Sequence, residues 1–313
     1  MTPATQAEEF QRYYPLLFSI AYRMLGSAGE AEDIVQDAYL RYAQAPGEIR
    51  ALKSFLTTVV TNLCLDHLKS ARVQREQYIG PWLPEPVITT GGVLAPLETI
   101  EQRESVSLAF LILLESLTPQ ERAVFLLHDV FEYGYDEIAG IVGKSAANCR
   151  QILHRARERV AERRPRFEPS PEAQRRLTER FLVAANDGNV AALTDILARD
   201  VMAWSDGGGK VHAALRPVLG QDRVIRFLLG LVRKAPPGAR VALDEVNGGP
   251  ALLGWDGATL FLVLTFDIAG DHIHGVRLVV NPDKLAYIAQ QAAGPEGEVI
   301  GGQPIHPPGP AEA

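Results

Sequence analysis

The chain has 313 residues, a formal net charge of −7 and two cysteines, a length that calls for two or three domains. Hydrophobic residues at 47% and charged residues at 22% are those of an ordinary soluble protein, and no run approaches the ~18 apolar residues of a membrane span. Cys64 and Cys149 are too few and too far apart for a disulfide framework or a zinc site, which fits a reducing, cytoplasmic compartment.

The opening stretch MTPATQAEEF has neither a basic n-region nor an apolar h-region and is read as no secretory signal. From there to residue 165 the apolar spacing is helical, over 8–25, 29–44, 52–72, 98–116, 119–131, 135–142 and 146–163. A Pro- and Gly-rich stretch, GPWLPEPVITTGGVLAP, interrupts it, and a second breaker, RPRFEPSP, follows it. Helical patterns over 172–187, 190–197 and 221–234 then give way to β-like runs at 240–246, 251–255, 259–268 and 272–280. The expected fold is multidomain: a helical domain at 1–78, a linker at 79–97, a second helical domain at 98–166, an α+β domain at 172–292 and a flexible tail at 293–313.

Overall acidity argues against nucleic acid only if charge is evenly spread. It is not. Residues 98–137 carry a net charge of −7, whereas residues 144–166 carry +6. The basic segment holds a helix-turn-helix pattern: a short amphipathic helix over 135–142, Gly143 for a turn that needs positive φ, and Ser145 as N-cap of a second helix. On that helix Cys149, Ile152, Leu153, Ala156 and Val160 share an apolar face, while Arg150, Gln151, His154 and Arg155 project away near its N-terminal half. That is the portion that enters the major groove in such motifs, and Arg and Gln suit base contacts. The competing reading is a basic helix that packs and solvates its charges. Upstream, Thr118, Pro119 and Glu121 spell a capping box for a scaffold helix. His128 reads as a partly buried helix residue rather than a ligand, and Cys149 as a core thiol.

Nearer the N-terminus, GEAEDIVQDAYLRYAQ buries Ile34, Val35, Ala38 and Tyr42 and shows Asp33, Gln36 and Asp37 on its other face. Such a face is either solvated or docks a basic partner. In SFLTTVVTNLCLDHLKSAR, Asn62, Asp66 and Lys69 form one polar stripe, with Lys69, Arg72 and Arg75 at the C-terminal end, where cations suit the helix dipole. Spacing alone leaves a surface stripe and a binding stripe equally open.

Together these segments resemble the sigma-70 superfamily in its small extracytoplasmic-function class. AYRMLGSAGEAEDIVQDAYLRYAQ is similar to regions 2.1–2.2, LKSFLTTVVTNLCLDHLKSAR to regions 2.3–2.4, and SLTPQERAVFLLHDVFEYGYDEIAGIVGKSAANCRQILHRARERV to region 4. The resemblance implies two all-α sigma domains, regions 2 and 4, and a bacterial RNA polymerase sigma factor that directs promoter recognition and initiation. It places Asp33, Gln36 and Asp37 in the helix that docks on the polymerase core, with the β′ clamp and the β flap as partner surfaces. Asn62, Asp66, Lys69 and Arg72 fall toward minus-10 promoter DNA. Ser145, Asn148, Arg150, Gln151, His154 and Arg155 fall toward the minus-35 element. The minus-10 bases must leave the stack, which costs a few kcal/mol per step, and a polar helix with the loop before it can hold them as single strand.

Residues 172–292 resemble a SnoaL-like domain, an α+β cone with a curved antiparallel sheet. The group of sigma factors with this extension carries three signatures, all present here: WLPEP (Trp82, Leu83, Pro84, Glu85, Pro86), DGGGK (Asp206, Gly207, Gly208, Gly209, Lys210) and NPDKL (Asn281, Pro282, Asp283, Lys284, Leu285). The resemblance implies that these residues make an intramolecular regulatory contact, so that no separate anti-sigma factor is required. No cofactor, metal, catalytic residue or membrane is implied; the cone leaves room for a small-molecule ligand. Asp206, His212, Trp204, Trp255, Asp267 and His274 are candidates to line a pocket, without spacing that fixes acid–base geometry. A ligand-sensing regulator of duplex DNA that works without polymerase is the rival reading, and it has no use for a melting helix. An enzyme fused to a DNA-binding module is a third.

Overall fold

The structure, a computed structural model, describes residues 3–46, 49–91, 93–94, 103–161, 170–292 and 303–304, without the side chains of 3–5, 71–76 and 303–304. The chain divides into two compact units. One comprises Met1–Gln77 with Gly91–Arg164, the other Tyr78–Thr90 with Pro165–Ala313. The expected linker is thus split, and its WLPEP portion belongs to the second unit.

The first unit is helical. Helix α1 (Pro3–Leu25) buries Phe10, Leu17, Phe18, Ala21 and Tyr22 on one face. Gly26, at φ 70°, turns the chain, and Ser27 caps α2 (Ala28–Ala43) by accepting from the Glu30 N–H at 3.2 Å. Helix α3 (Leu52–Glu76) closes the bundle with Leu56, Val60, Leu63 and Cys64. After α4 (Leu108–Leu114), the Thr118–Glu121 capping box starts α5 (Pro119–Phe125), which runs into a π-turn, Leu126–Val130. Helices α6 (Tyr135–Val142) and α7 (Ala146–Ala161) follow, joined by Gly143 in the left-handed conformation, φ 65°.

The two helical segments expected as separate domains pack as one body. Two buried guanidinium groups join them. Arg122 donates to the Met24 carbonyl at 2.6 Å, where α1 ends and its carbonyls lack intrahelical partners, and pairs with Glu115 at 2.8 Å. Arg23 reaches from α1 to the Ser105 hydroxyl at 3.1 Å, bonds to Ser19, and lies 5.5 Å from the Phe131 ring centroid. Burial pushes the Arg23 guanidinium down to about 10, so it stays charged near neutrality. The Thr57 hydroxyl meets the Tyr133 phenol at 2.9 Å.

The second unit layers helices on a curved sheet. Helices α8 (Pro171–Asn186) and α9 (Val190–Ile196), both capped by side chains, precede β1 (Leu197–Asp206), β2 (Val218–Leu219) and α10 (Gln221–Arg233). Strands β3 (Arg240–Val246), β4 (Gly249–Asp256), β5 (Thr259–Ala269) and β6 (His272–Val279) form a meander; α11 (Pro282–Ala292) and β7 (Gln303–Pro304) end it. The order is β2-β1-β6-β5-β4-β3-β7. The expected antiparallel sheet is in fact mixed, because β1 pairs with β6 in parallel. The crossover between them runs through the meander itself, which sequence alternation does not reveal.

Register sets the inner face. Leu243, Leu252, Leu264 and Leu278 stand opposite one another across β3 to β6, and Phe181 of α8 meets Phe266 edge-on at 4.8 Å. Alternate residues such as Leu253, Val263 and Val279 are buried too, so both faces of this part of the sheet are covered, and α11 packs against β5.

Replacing Arg122 by Ala leaves the Met24 carbonyl and Glu115 without their buried cation. The expected loss is about 3 kcal/mol in the first unit, the lower end of the range because Glu115 retains 26% side-chain exposure; denaturant unfolding followed by circular dichroism measures it.

Candidate nucleic-acid interface and the strap of the second unit

In α7 the apolar face predicted from spacing, Cys149 to Val160, is buried, and Ser145, Asn148, Arg150, Gln151, His154 and Arg155 are all exposed on the opposite side. Ser145 accepts from the Asn148 N–H at 3.2 Å, an N-cap. The acidic scaffold takes up part of the helix's charge. Arg157 donates to both Asp129 oxygens, at 2.6 and 2.9 Å, and Arg159 donates to Glu121 at 2.7 Å. Burial opposes ionisation of Asp129, but the bonds from Arg157 and His128 prevail and hold its carboxyl below the ordinary value.

Asp129 also bonds to His128 at 2.8 Å. The His128 ring lies 4.7 Å from that of Tyr135, and the Arg150 guanidinium lies 4.9 Å from the centroid of the Tyr135 ring. A continuous line of contacts therefore runs from the scaffold to Arg150 on the exposed face of α7. The sequence alone gives His128 as packing and does not single out Tyr135. The aromatic at the first position of α6 was the available signal.

On α2 Asp33, Gln36 and Asp37 are exposed together, beside the exposed Leu40. On α3 Asn62, Asp66 and Lys69 are exposed on one stripe, with Lys69 and Asp66 paired at 2.7 Å. The Arg72 side chain lies outside the described residues. Both stripes are exposed to solvent.

The three tandem signatures meet in the second unit. The Asp206 carboxylate is completely buried. It accepts from the Leu83 N–H at 2.8 Å, the Lys284 ammonium at 2.7 Å, the Gly208 N–H at 3.1 Å and the Tyr78 hydroxyl. The Lys284 ammonium donates to the Leu83 carbonyl as well and lies over the rings of Trp82, at 4.3 Å, and Tyr78, at 4.7 Å. Asn281 donates to the Tyr78 oxygen at 3.0 Å and accepts from the Asp283 N–H at 3.1 Å, starting α11 ahead of Pro282. Leu285 is buried on that helix, and Lys210 pairs with Asp283 at the surface. Gly208, at φ 58°, admits no side chain: a Cβ there would fall 2.3 Å from the Asn281 amide. Pro84 and Pro86 are buried and Glu85 half-buried.

Beyond WLPEP the strap continues along the β3–β4 turn. Val87 and Asn247 exchange two hydrogen bonds, at 2.9 and 3.1 Å. Thr89 donates from its backbone to the Glu245 carbonyl at 3.1 Å, and Ile88 to the Gln291 side chain at 2.9 Å. Tyr78, Asn247, Glu245 and Gln291 are residues that sequence reading missed; they hold the strap through long-range bonds that leave no local pattern. The expected pocket set does not assemble. Asp267 pairs with Arg277, whose guanidinium covers Trp204 at 4.8 Å. His274 stands near Asp200 at 3.6 Å, Trp255 is core, and His212 lines a cavity between α8, α10 and the sheet.

Burial first, then the bond to Asp206, push the Tyr78 phenol above its ordinary value of 10.0. The unfolded chain ionises first, so this contribution is whole below pH 10 and is lost as pH rises above it. Tyr78→Phe is expected to flatten the alkaline decline of the second unit's melting temperature between pH 9 and 11, read by scanning calorimetry. Asp206→Ala strands the Lys284 ammonium and the Leu83 N–H, with an expected loss of about 3–5 kcal/mol.

The family models for Sigma-70 region 2 and Sigma-70, region 4 match residues 10–73 and 107–160. The ECF RNA polymerase sigma factor SigJ of Mycobacterium tuberculosis is 36% identical over 290 residues, spanning 90% of this chain and 93% of that protein. The probable ECF RNA polymerase sigma factor SigI of the same organism is 34% identical over 295 residues, spanning 93% and 98%. The crystal structure of SigJ superposes with a TM-score of 0.69 at 32% identity, over 90% of this chain and 98% of that one, so the helical regions and the α+β extension share its fold. With both sigma regions in order and the likeness running through the extension, the chain belongs to the extracytoplasmic-function sigma factors of the sigma-70 family.

Proposed function

We propose that this sigma factor is controlled in cis: its C-terminal domain grips the strap between regions 2 and 4 and so limits the arrangements the two regions adopt on a promoter. The observation that carries the reading is the buried Asp206–Lys284 pair closed on Leu83. The chain leaves α3 at Glu76 and is already held at Tyr78. With residues 78–90 fastened, the chain available to connect the two regions is shorter by those residues. Release of the strap lengthens the tether and shifts the population of arrangements. A separate anti-sigma protein is then not required.

At the promoter, Asn62, Asp66, Lys69 and Arg72 of α3 engage the melted minus-10 strand. Arg150, Gln151, His154 and Arg155 of α7 read minus-35 base edges, with Ser145 and Asn148 against the phosphates at the helix N-terminus. Asp33, Gln36 and Asp37 of α2 dock on the β′ clamp, and region 4 meets the β flap. A net charge of −7 weakens encounter with free DNA, so polymerase supplies most of the affinity.

Two experiments test this. In run-off transcription with core polymerase, Asp206→Ala combined with Trp82→Ala is expected to change promoter output several-fold with core binding retained; unchanged output would refute restraint by the strap. Arg150→Ala is expected to weaken minus-35 discrimination by about 1–3 kcal/mol at one base position. Tyr135→Ala should give a smaller loss at that same position and Tyr135→Phe none, measured by holoenzyme binding to promoters substituted base by base.

A further inference from the structure

Between α8, α10 and the inner face of the sheet lies a cavity of about 330 Å³. Its floor is two cross-strand rows in register: Leu252, Leu264 and Leu278, then Val241, Gly254 and Leu262. Phe181 closes one wall and Leu228 the other, both almost fully buried. Protein interiors hold few voids larger than one water, and a water needs only roughly 10–15 Å³ of such space. Small-molecule sites begin at roughly 300 Å³. A hollow of this size, open at its mouth and walled in its depth by leucine and phenylalanine, forgoes packing contacts that a bound apolar body restores.

The polar side chains are few. Asn186, His212 and Lys234 are the hydrophilic members of the lining, and among the described lining residues none is acidic. His212 and Lys234 are exposed, so they stand at the mouth while the depth is apolar. The carboxylates expected in a catalytic cone are elsewhere, Asp206 in the strap and Asp267 on Arg277. Among the described lining residues no carboxylate accompanies His212 and Lys234, and these two stand at the mouth rather than in the apolar depth, so the depth offers binding.

We infer that this cavity is a receptor site for a small apolar acid, a hydrocarbon or aromatic body held by the leucine floor with one carboxylate at the mouth toward Lys234 and His212. The site is separate from the strap, and its occupancy is testable whether or not the strap restrains initiation. Isothermal titration of the full chain, without polymerase, with decanoate and with 2-naphthoate is expected to show one saturable site of submillimolar affinity for at least one of them. Leu264→Trp fills the floor and should abolish it. Lys234→Ala, an exposed change that leaves the core intact, should weaken the acid by up to about fivefold and leave decan-1-ol unaffected. The inference is overturned if neither acid binds, if decylamine binds as well as decanoate, or if binding is indifferent to both substitutions. It is also overturned if decanoate binds only after residues 293–313 are removed, since the chain's own tail would then be the occupant.

Discussion

A carboxylate with no access to water must be met by donors on every side, and Asp206 meets that requirement with groups from two distant stretches of chain and from its own turn. The strand end supplies the acid, the Gly208 turn and the strap supply N–H groups, α11 supplies the ammonium, and Tyr78 supplies a hydroxyl. Such a pair contributes little to stability compared with an apolar replacement, yet it tolerates no partial assembly, because each missing partner strands a buried charge. One register of the strap satisfies it. That is the physical content of the WLPEP, DGGGK and NPDKL signatures: each provides groups that the other two need.

The same logic on a smaller scale organises the helical unit. Arg122 and Arg23 are buried cations whose partners lie in the other helical segment, at Met24 and Ser105. Packing between the segments is therefore specified by polar geometry inside an apolar interface. Around α7 the scaffold's acids take the opposite part. Asp129 and Glu121 bind Arg157 and Arg159, which orients the helix and leaves its remaining cations on the exposed face. The juxtaposed +6 and −7 segments of the sequence are thus partly one internal ion-pair system, and the charge offered to DNA is smaller than the sequence count.

Much of this was legible in advance where the signal is local. The capping box at Thr118, the turn at Gly143, the cap at Ser145 and the apolar face from Cys149 to Val160 follow from short-range hydrogen bonding and helical period, and each is found in place. The helical half and the α+β half were likewise read from a change of period. The parallel pairing of β1 with β6 was not, since alternation along a strand is the same whichever neighbour it has. Nor was the membership of Tyr78–Thr90 in the second unit, because an extended Pro-rich segment has no period at all.

By itself the sequence determined which residues face inward on each helix and where helices begin and turn, and its resemblance to the sigma-70 superfamily made certain exposed side chains candidates for promoter and polymerase. Those properties depend on neighbours within a few positions. The tertiary structure alone decided that Asp206, which also closes its own turn on the Gly208 N–H, is an interior anchor, that Tyr135 and His128 back Arg150, and that the cone's hollow is lined by leucine with a basic mouth. Each of these depends on contacts between different elements, from 7 to more than 200 positions apart, brought together by helix packing, strand register and burial, for which a linear pattern carries no signal.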